Sequence, residues 1–221
     1  MCIYTKEKTM TTHTTNIDPK EKGPFRSPIF LGLTLTWFIL VISLSLSGYF
    51  VTPDGVLPIK MPVFFMIPPI VFVMALYTSR SVARWADRVD VTTATSLQSW
   101  RVMGFTFLIL WSLGELPLVF ALLSGFGDVA TGIYATFATV KISQRQAKWR
   151  VYARRVVYLG SIDFAVAVVT GLLSAAGYLK VYEDEIPAHL MTAYPMVMFP
   201  VFIVPAFIIL HILAWRGINR A

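Results

Sequence analysis

The sequence predicts an all-α integral membrane protein that crosses a bilayer six times, with both termini in the cytoplasm. Three observations carry this expectation. The 221 residues are 56% hydrophobic and only 14% charged, with a mean hydropathy of +0.67, whereas soluble domains average about 25% charged residues. Uncharged runs close to the roughly 20 residues that a helix needs to cross about 30 Å of hydrocarbon recur along the chain. Lys and Arg, which short loops hold on the cytoplasmic side during insertion, fall almost wholly on one side of those runs. The formal charge of +7 does not point to nucleic acid, because no soluble stretch supplies a contiguous basic face.

Residues 1–26, rich in Thr and Lys and without an apolar run, read as a mobile cytoplasmic tail. The apolar segment after it begins too late and runs too long for a cleavable signal peptide. A single transmembrane domain, 27–221, is expected to follow. No residue is charged between Arg26 and Asp54, which predicts a first span near 29–51. The second, 61–79, lies between Lys60 and Arg80 and contains Pro68 and Pro69, expected to kink it. Arg80, Arg84 and Arg88 recur at helical spacing around Trp85, which fits either a short interfacial helix near 80–98 or a solvated basic connector. From Arg101 to Lys141 only Glu115 and Asp128 are charged. Ser124-Gly125-Phe126-Gly127-Asp128 has the composition of a tight reversal, so two spans, 102–123 and 128–143, are expected on either side of it. The fifth, 156–179, contains Asp163. The sixth, 189–215, carries Pro195, Pro200 and Pro205.

Loop charges test the count. Lys6, Lys8, Lys20, Lys22 and Arg26 precede the first span; Arg80, Arg84, Arg88 and Arg101 follow the second. Lys141, Arg145, Lys148, Arg150, Arg154 and Arg155 follow the fourth, and Arg216 and Arg220 the sixth. Six crossings place all 17 on one side and leave Lys60 and Lys180 opposite; a single crossing between 101 and 141 destroys the pattern. A plasma membrane, the inner membrane in a bacterium, is the expected location.

Glu115, Asp128 and Asp163 are acidic residues within or at the edge of spans, where an ionised carboxylate costs about 2.5–3.5 kcal/mol even on insertion scales. They are therefore the candidate site. Counting from the expected turn places Asp128 near the outer edge, Glu115 half-way through and Asp163 roughly 10 Å inside the cytoplasmic face. Ser112, Tyr134 and Thr136 are the expected polar neighbours. Asp163 heads a small-residue stripe, Ala167, Gly171 and Ala175, that suits close helix contact or an oligomer interface. Two readings fit the acids: a proton or solute pathway, or hydrogen-bond acceptors that hold helices together. Asp128, beside glycines, fits a turn or helix cap better.

No cofactor or metal is expected. The only cysteine is Cys2. His189 and His211 are 22 positions apart on one expected helix, about 33 Å, too far to share an ion, and no second span supplies a facing imidazole for bis-histidine haem. His211, with Trp215 one turn on, fits an interfacial anchor. Gly125-Phe126-Gly127-Asp128 resembles the GxGD signature of intramembrane aspartyl proteases. That resemblance implies a partner aspartate on an earlier helix, whereas Asp163 follows the signature; no PAL-like segment is present, and the expected depths separate the two acids by about 20 Å. The composition therefore leads first to a small proton-linked transporter or the membrane subunit of one. A non-catalytic assembly protein comes second, and a membrane-embedded enzyme third. The expected partners are the lipid bilayer and a small solute or proton.

Overall fold

The computed structural model describes Phe25 and residues 27–53, 56–182 and 188–220. The expected tail, 1–26, lies outside the described residues except for Phe25. The described chain is all helical, without a strand. Its elements are α1 (Pro28–Leu46), α2 (Lys60–Thr78), α3 (Arg80–Asp87), α4 (Val91–Ser96), a 3-10 helix (Leu97–Gly104), α5 (Phe105–Ser112), α6 (Leu118–Ser143), α7 (Trp149–Ala175), a 3-10 turn (Ala188–Thr192), a π-helical turn (Phe199–Ile203) and α8 (Val204–Arg220). Five helices are long and apolar enough to cross a membrane: α1, α2, α6, α7 and Phe199–Arg220. Apolar side chains are widely exposed on them, Ile29, Leu33, Val71, Met74, Ile133 and Ile162 among them. In water such a surface would drive association; against lipid it is the matched solvent.

Two boundaries differ from the sequence expectation for one reason. The predicted turn at 124–128 is the middle of α6, which runs 26 residues without a break. The reversal lies instead at 113–117. Gly114 adopts a positive φ of 77° there, a conformation that glycine alone accepts freely. Pro117 then precedes α6 as its N-cap. Gly125 and Gly127 are packing residues: a Cβ at Gly125 would stand 3.3 Å from the Gly104 carbonyl oxygen and 2.9 Å from Leu108. The preceding helical segment is consequently displaced toward the N-terminus. It is a continuous stack of α4, the 3-10 helix and α5, of 6, 8 and 8 residues, about 37 Å long at usual rises. Arg101, expected in a loop, lies at its centre.

The expected sixth span also begins later. His189 belongs to the 3-10 turn Ala188–Thr192, and the long helix spans Phe199–Arg220. Pro200 lies in its first turn, where a missing N–H costs little, and Pro205 lies just after the π-helical turn Phe199–Ile203. Pro68 and Pro69 lie inside α2. The basic segment after α2 does form a helix, α3, which Ser79 caps by accepting from the Val82 N–H. Trp85 of α3 stacks on Phe30 and meets Phe25 and Phe72 edge-on.

Three of the apolar clusters bracket the polar centre. At the end that carries Glu115, Phe107, Leu116, Phe120, Ala175 and Met191 pack together. At the end that carries Arg145, Val91, Ala135, Ala138, Ile142, Ala153 and Val156 do the same. Ala94, Leu213 and Ala214 join α4 to α8, and Arg216 and Arg220 both pair with Asp87 of α3, the former at 2.5 Å. Charges buried between such layers interact in a medium of low polarity, so both their attraction and their desolvation cost are large.

Candidate functional site

A 3-10 helix stacks every third residue in one line. Thr95, Gln98, Arg101, Gly104 and Phe107 are all buried at that spacing, so the row faces the bundle interior. The Gln98 amide donates to the Phe207 carbonyl of α8 at 3.0 Å, which anchors the row. Arg101 is 0% exposed. Its Nε donates to Asp128 Oδ1 of α6 at 2.7 Å, and its Nη2 pairs with Asp163 Oδ2 of α7. The guanidinium carbon lies 3.8 Å from the centre of the Phe164 ring, which adds a cation–π contact on one face. A charged fork of this kind is suited to bridging two carboxylates at once.

Glycines on neighbouring helices make room for each charged group. A Cβ at Gly104 would overlap Asp128, one at Gly127 would overlap Asp163, and one at Gly160 would overlap both Arg101 and His211. The backbones of α6 and the 91–112 segment meet closely at Gly132, where a Cβ would stand 2.8 Å from the Val102 nitrogen. His211 of α8 is 4% exposed, meets Phe164 edge-on, and faces the guanidinium across Gly160. It is an interior residue and does not anchor an interface. Arg101 Nη1 and both His211 ring nitrogens have no protein hydrogen-bond partner. Buried polar atoms in that state are bonding capacity for water or a solute.

The two carboxylates face different recesses. Asp128 lines a cavity walled by Phe65, Phe107, Phe120, Phe164 and Phe199 and bounded at the Glu115 end by Pro58, Ala188 and Met191. Its volume is about 70 Å³ measured to the centres of water-sized spheres, several times the ~10–15 Å³ that one water requires. Asp163 lines a second recess between α6 and α7, with Gly127, Thr131, Leu159 and Ile162, on a face where Leu159 and Ile162 are exposed.

The structure brings together two of the three acids read from the sequence. Asp128 is neither a turn nor a cap, and it is not 20 Å from Asp163: both bind one guanidinium. Asp163 lies near the middle of α7, with 14 residues of the helix before it and 12 after. Glu115 lies apart, exposed in the 113–117 turn, and not at mid-depth. The expected polar neighbours do not join the centre. Ser112 and Thr136 donate to carbonyls of their own helices, at 2.7 Å to Ile109 and 3.0 Å to Gly132, and Tyr134 packs toward the Arg145-end cluster. Within the chain, Gly171 of the Ala167, Gly171 and Ala175 stripe packs against Phe120, where a Cβ would stand 3.2 Å from the ring. An aspartyl dyad needs a proton shared between its carboxylates, and here the guanidinium stands between them. Among the described residues no group of three or more His, Cys, Asp or Glu side chains could hold a metal ion.

Sequence reasoning missed Arg101 and His211. An arginine usually ends an apolar run, so the sequence alone places Arg101 in the loop after the second span. The signal that identifies it is the three-residue polar row Thr95, Gln98, Arg101, which continues into Gly104 with no turn residue between.

A helical protein with several apolar helices around a buried arginine–aspartate centre is the class that fold and site define. Residues 58–218 match the family described as Domain of unknown function (DUF8737), and the chain belongs to that family. No curated protein and no solved structure matches the chain. The matched region contains Arg101, Asp128, Asp163 and His211.

Proposed function

We propose that this is a six-crossing membrane protein with both ends in the cytoplasm, and that its buried centre is the proton-handling site of a small transporter or of a transporter's membrane subunit. The sixth crossing is the 91–112 stack, whose estimated length exceeds the hydrocarbon thickness of about 30 Å. Arg101 leaves the loop tally in this arrangement, and among the described residues the remaining loop Lys and Arg fall at the Arg145 end, apart from Lys60 and Lys180. Single cysteines at positions 88 and 115, which bracket the stack, in a chain with Cys2→Ser, should react with impermeant maleimide from opposite faces of sealed vesicles. Labelling of both from one face removes the sixth crossing.

The observation that carries the functional reading is a single buried guanidinium bridging two carboxylates that front separate recesses. One positive and two negative groups leave a formal surplus of one negative charge. A buried charge without compensation costs several kcal/mol, so the centre must retain a proton or take up a cation. Exchange of that charge between the Asp128 cavity and the Asp163 recess is the elementary step of proton-linked transport. In proteoliposomes with an internal pH dye and an imposed potential, the native chain should pass protons. Asp128→Asn and Asp163→Asn should abolish that flux while eluting as folded protein, and Glu115→Gln, in an exposed turn, should leave it unchanged. Flux in the native chain no greater than in protein-free vesicles sinks the reading.

The glycine notches favour a second reading, in which the centre only locks helices together. It requires that neutral substitutes of similar shape hold the bundle equally well and that no proton flux exists to be lost.

A further inference from the structure

The same surplus charge, taken with the walls of the Asp128 cavity, narrows the solute. Among the described residues lining the cavity, Asp128 is the only ionisable one and Thr192 the only other with a polar side chain. Hard inorganic cations such as Ca²⁺ or Mg²⁺ need about six or more oxygen ligands, which these walls do not supply. An anion would meet the carboxylate, and a neutral apolar molecule would leave the surplus charge uncompensated. What the walls do supply is aromatic surface: Phe107 lies 5.7 Å from Phe120 and 5.2 Å from Phe199, centre to centre, and Phe65 and Phe164 complete the lining. Ring faces with a nearby carboxylate attract organic ammonium groups. The carboxylate presents itself there through a side chain 16% exposed, while its Oδ1 accepts from Arg101.

We propose that the Asp128 cavity binds a lipophilic organic monocation, an aromatic ammonium or phosphonium, with its charge on Asp128 and its apolar body among the phenylalanines. This rests on the proton-linked reading, because the cation then takes the place of the proton at the centre. The charged and titratable groups that face Asp128 or share its guanidinium are Arg101 on the 3-10 helix, Asp163 on α7 and His211 on α8. Cation and proton compete for one negative charge, so binding weakens as the solution is acidified, and each cation bound at neutral pH releases a proton.

The test uses the full chain in neutral detergent and radiolabelled benzyltrimethylammonium in equilibrium dialysis. The expected result is one saturable site, at least tenfold weaker in Asp128→Asn and weaker at pH 5 than at pH 8. Neopentylbenzene has the same shape with carbon in place of the charged nitrogen and should not displace the label. That comparison and the pH series use the native chain, so they decide the matter even where Asp128→Asn fails to fold. Absence of a saturable site, or equal displacement by neopentylbenzene, overturns the cation site. Saturable binding without proton release into weak buffer keeps the ligand class and overturns the proton-linked reading. Asp128-dependent proton flux in vesicles without cation binding overturns the ligand class alone.

Discussion

Arg101→Met should destabilise the bundle by about 3–5 kcal/mol, the usual cost of removing one partner from a buried ion pair. The methionine fills much of the arginine's volume, so the loss comes from charge: Asp128 and Asp163 are left facing each other between two apolar layers without a compensating cation. Unfolding in mixed micelles with increasing SDS measures it. Adding Asp128→Asn and Asp163→Asn to the same chain should recover most of the loss, because neutral amides do not need a counter-charge and buried ion clusters can often be replaced by neutral groups at little cost. A single variant within about 0.5 kcal/mol of the native chain, the range of an ordinary surface substitution, would show that the ionic centre does not hold the helices. The triple variant also separates the two functional readings: if it is stable and its proton flux is gone, the charges serve more than packing.

Gly127→Ala and Gly160→Ala should each cost at least the 1–3 kcal/mol typical of overpacking a close-packed interior. The added methyl group at 127 occupies the place of the Asp163 carboxylate, and at 160 that of the Arg101 and His211 side chains. The ion pair or the helix spacing must give way, so proton flux should fall together with stability. Gly32→Ala on α1 is the control: nothing lies within 4 Å of the added carbon, and alanine is the better helix former, so stability should stay level or rise. Thermal melts of the three variants by circular dichroism in detergent check the contrast. Equal effects at all three positions would mean that these notches are not filled as described.

Much of the fold was legible in the chain, and the departures share a cause. The apolar helices around 28–46 and 60–78, and the part of α7 beyond Arg155, follow from gaps between charges, because a hydrocarbon medium admits only helices that satisfy their own backbone. The segment from 91 to 143 departs because, in sequence, Arg101 reads as a boundary and Gly125-Phe126-Gly127-Asp128 as a turn. Glycine is ambiguous by nature: at 114 it permits a positive φ, whereas at 125 and 127 it permits close approach. Local sequence does not distinguish these uses. The candidate site suffered from the same displacement. The cost of carboxylates in lipid points to Asp163 and Asp128; the shifted boundary adds Glu115 and leaves Arg101 in the loop and His211 at the interface.

By itself, then, the sequence determined an all-helical chain with helices apolar enough to cross a membrane, since composition and the spacing of charges decide which solvent the backbone can tolerate. Only the tertiary structure decided which charges lie inside. An arginine in an apolar segment is expensive when alone and acceptable when two carboxylates from other helices reach it. Those carboxylates lie 27 and 62 residues further along the chain, and glycines on adjoining helices must clear their way. No local pattern records that meeting, which exists only once α6, α7 and α8 have packed around residue 101.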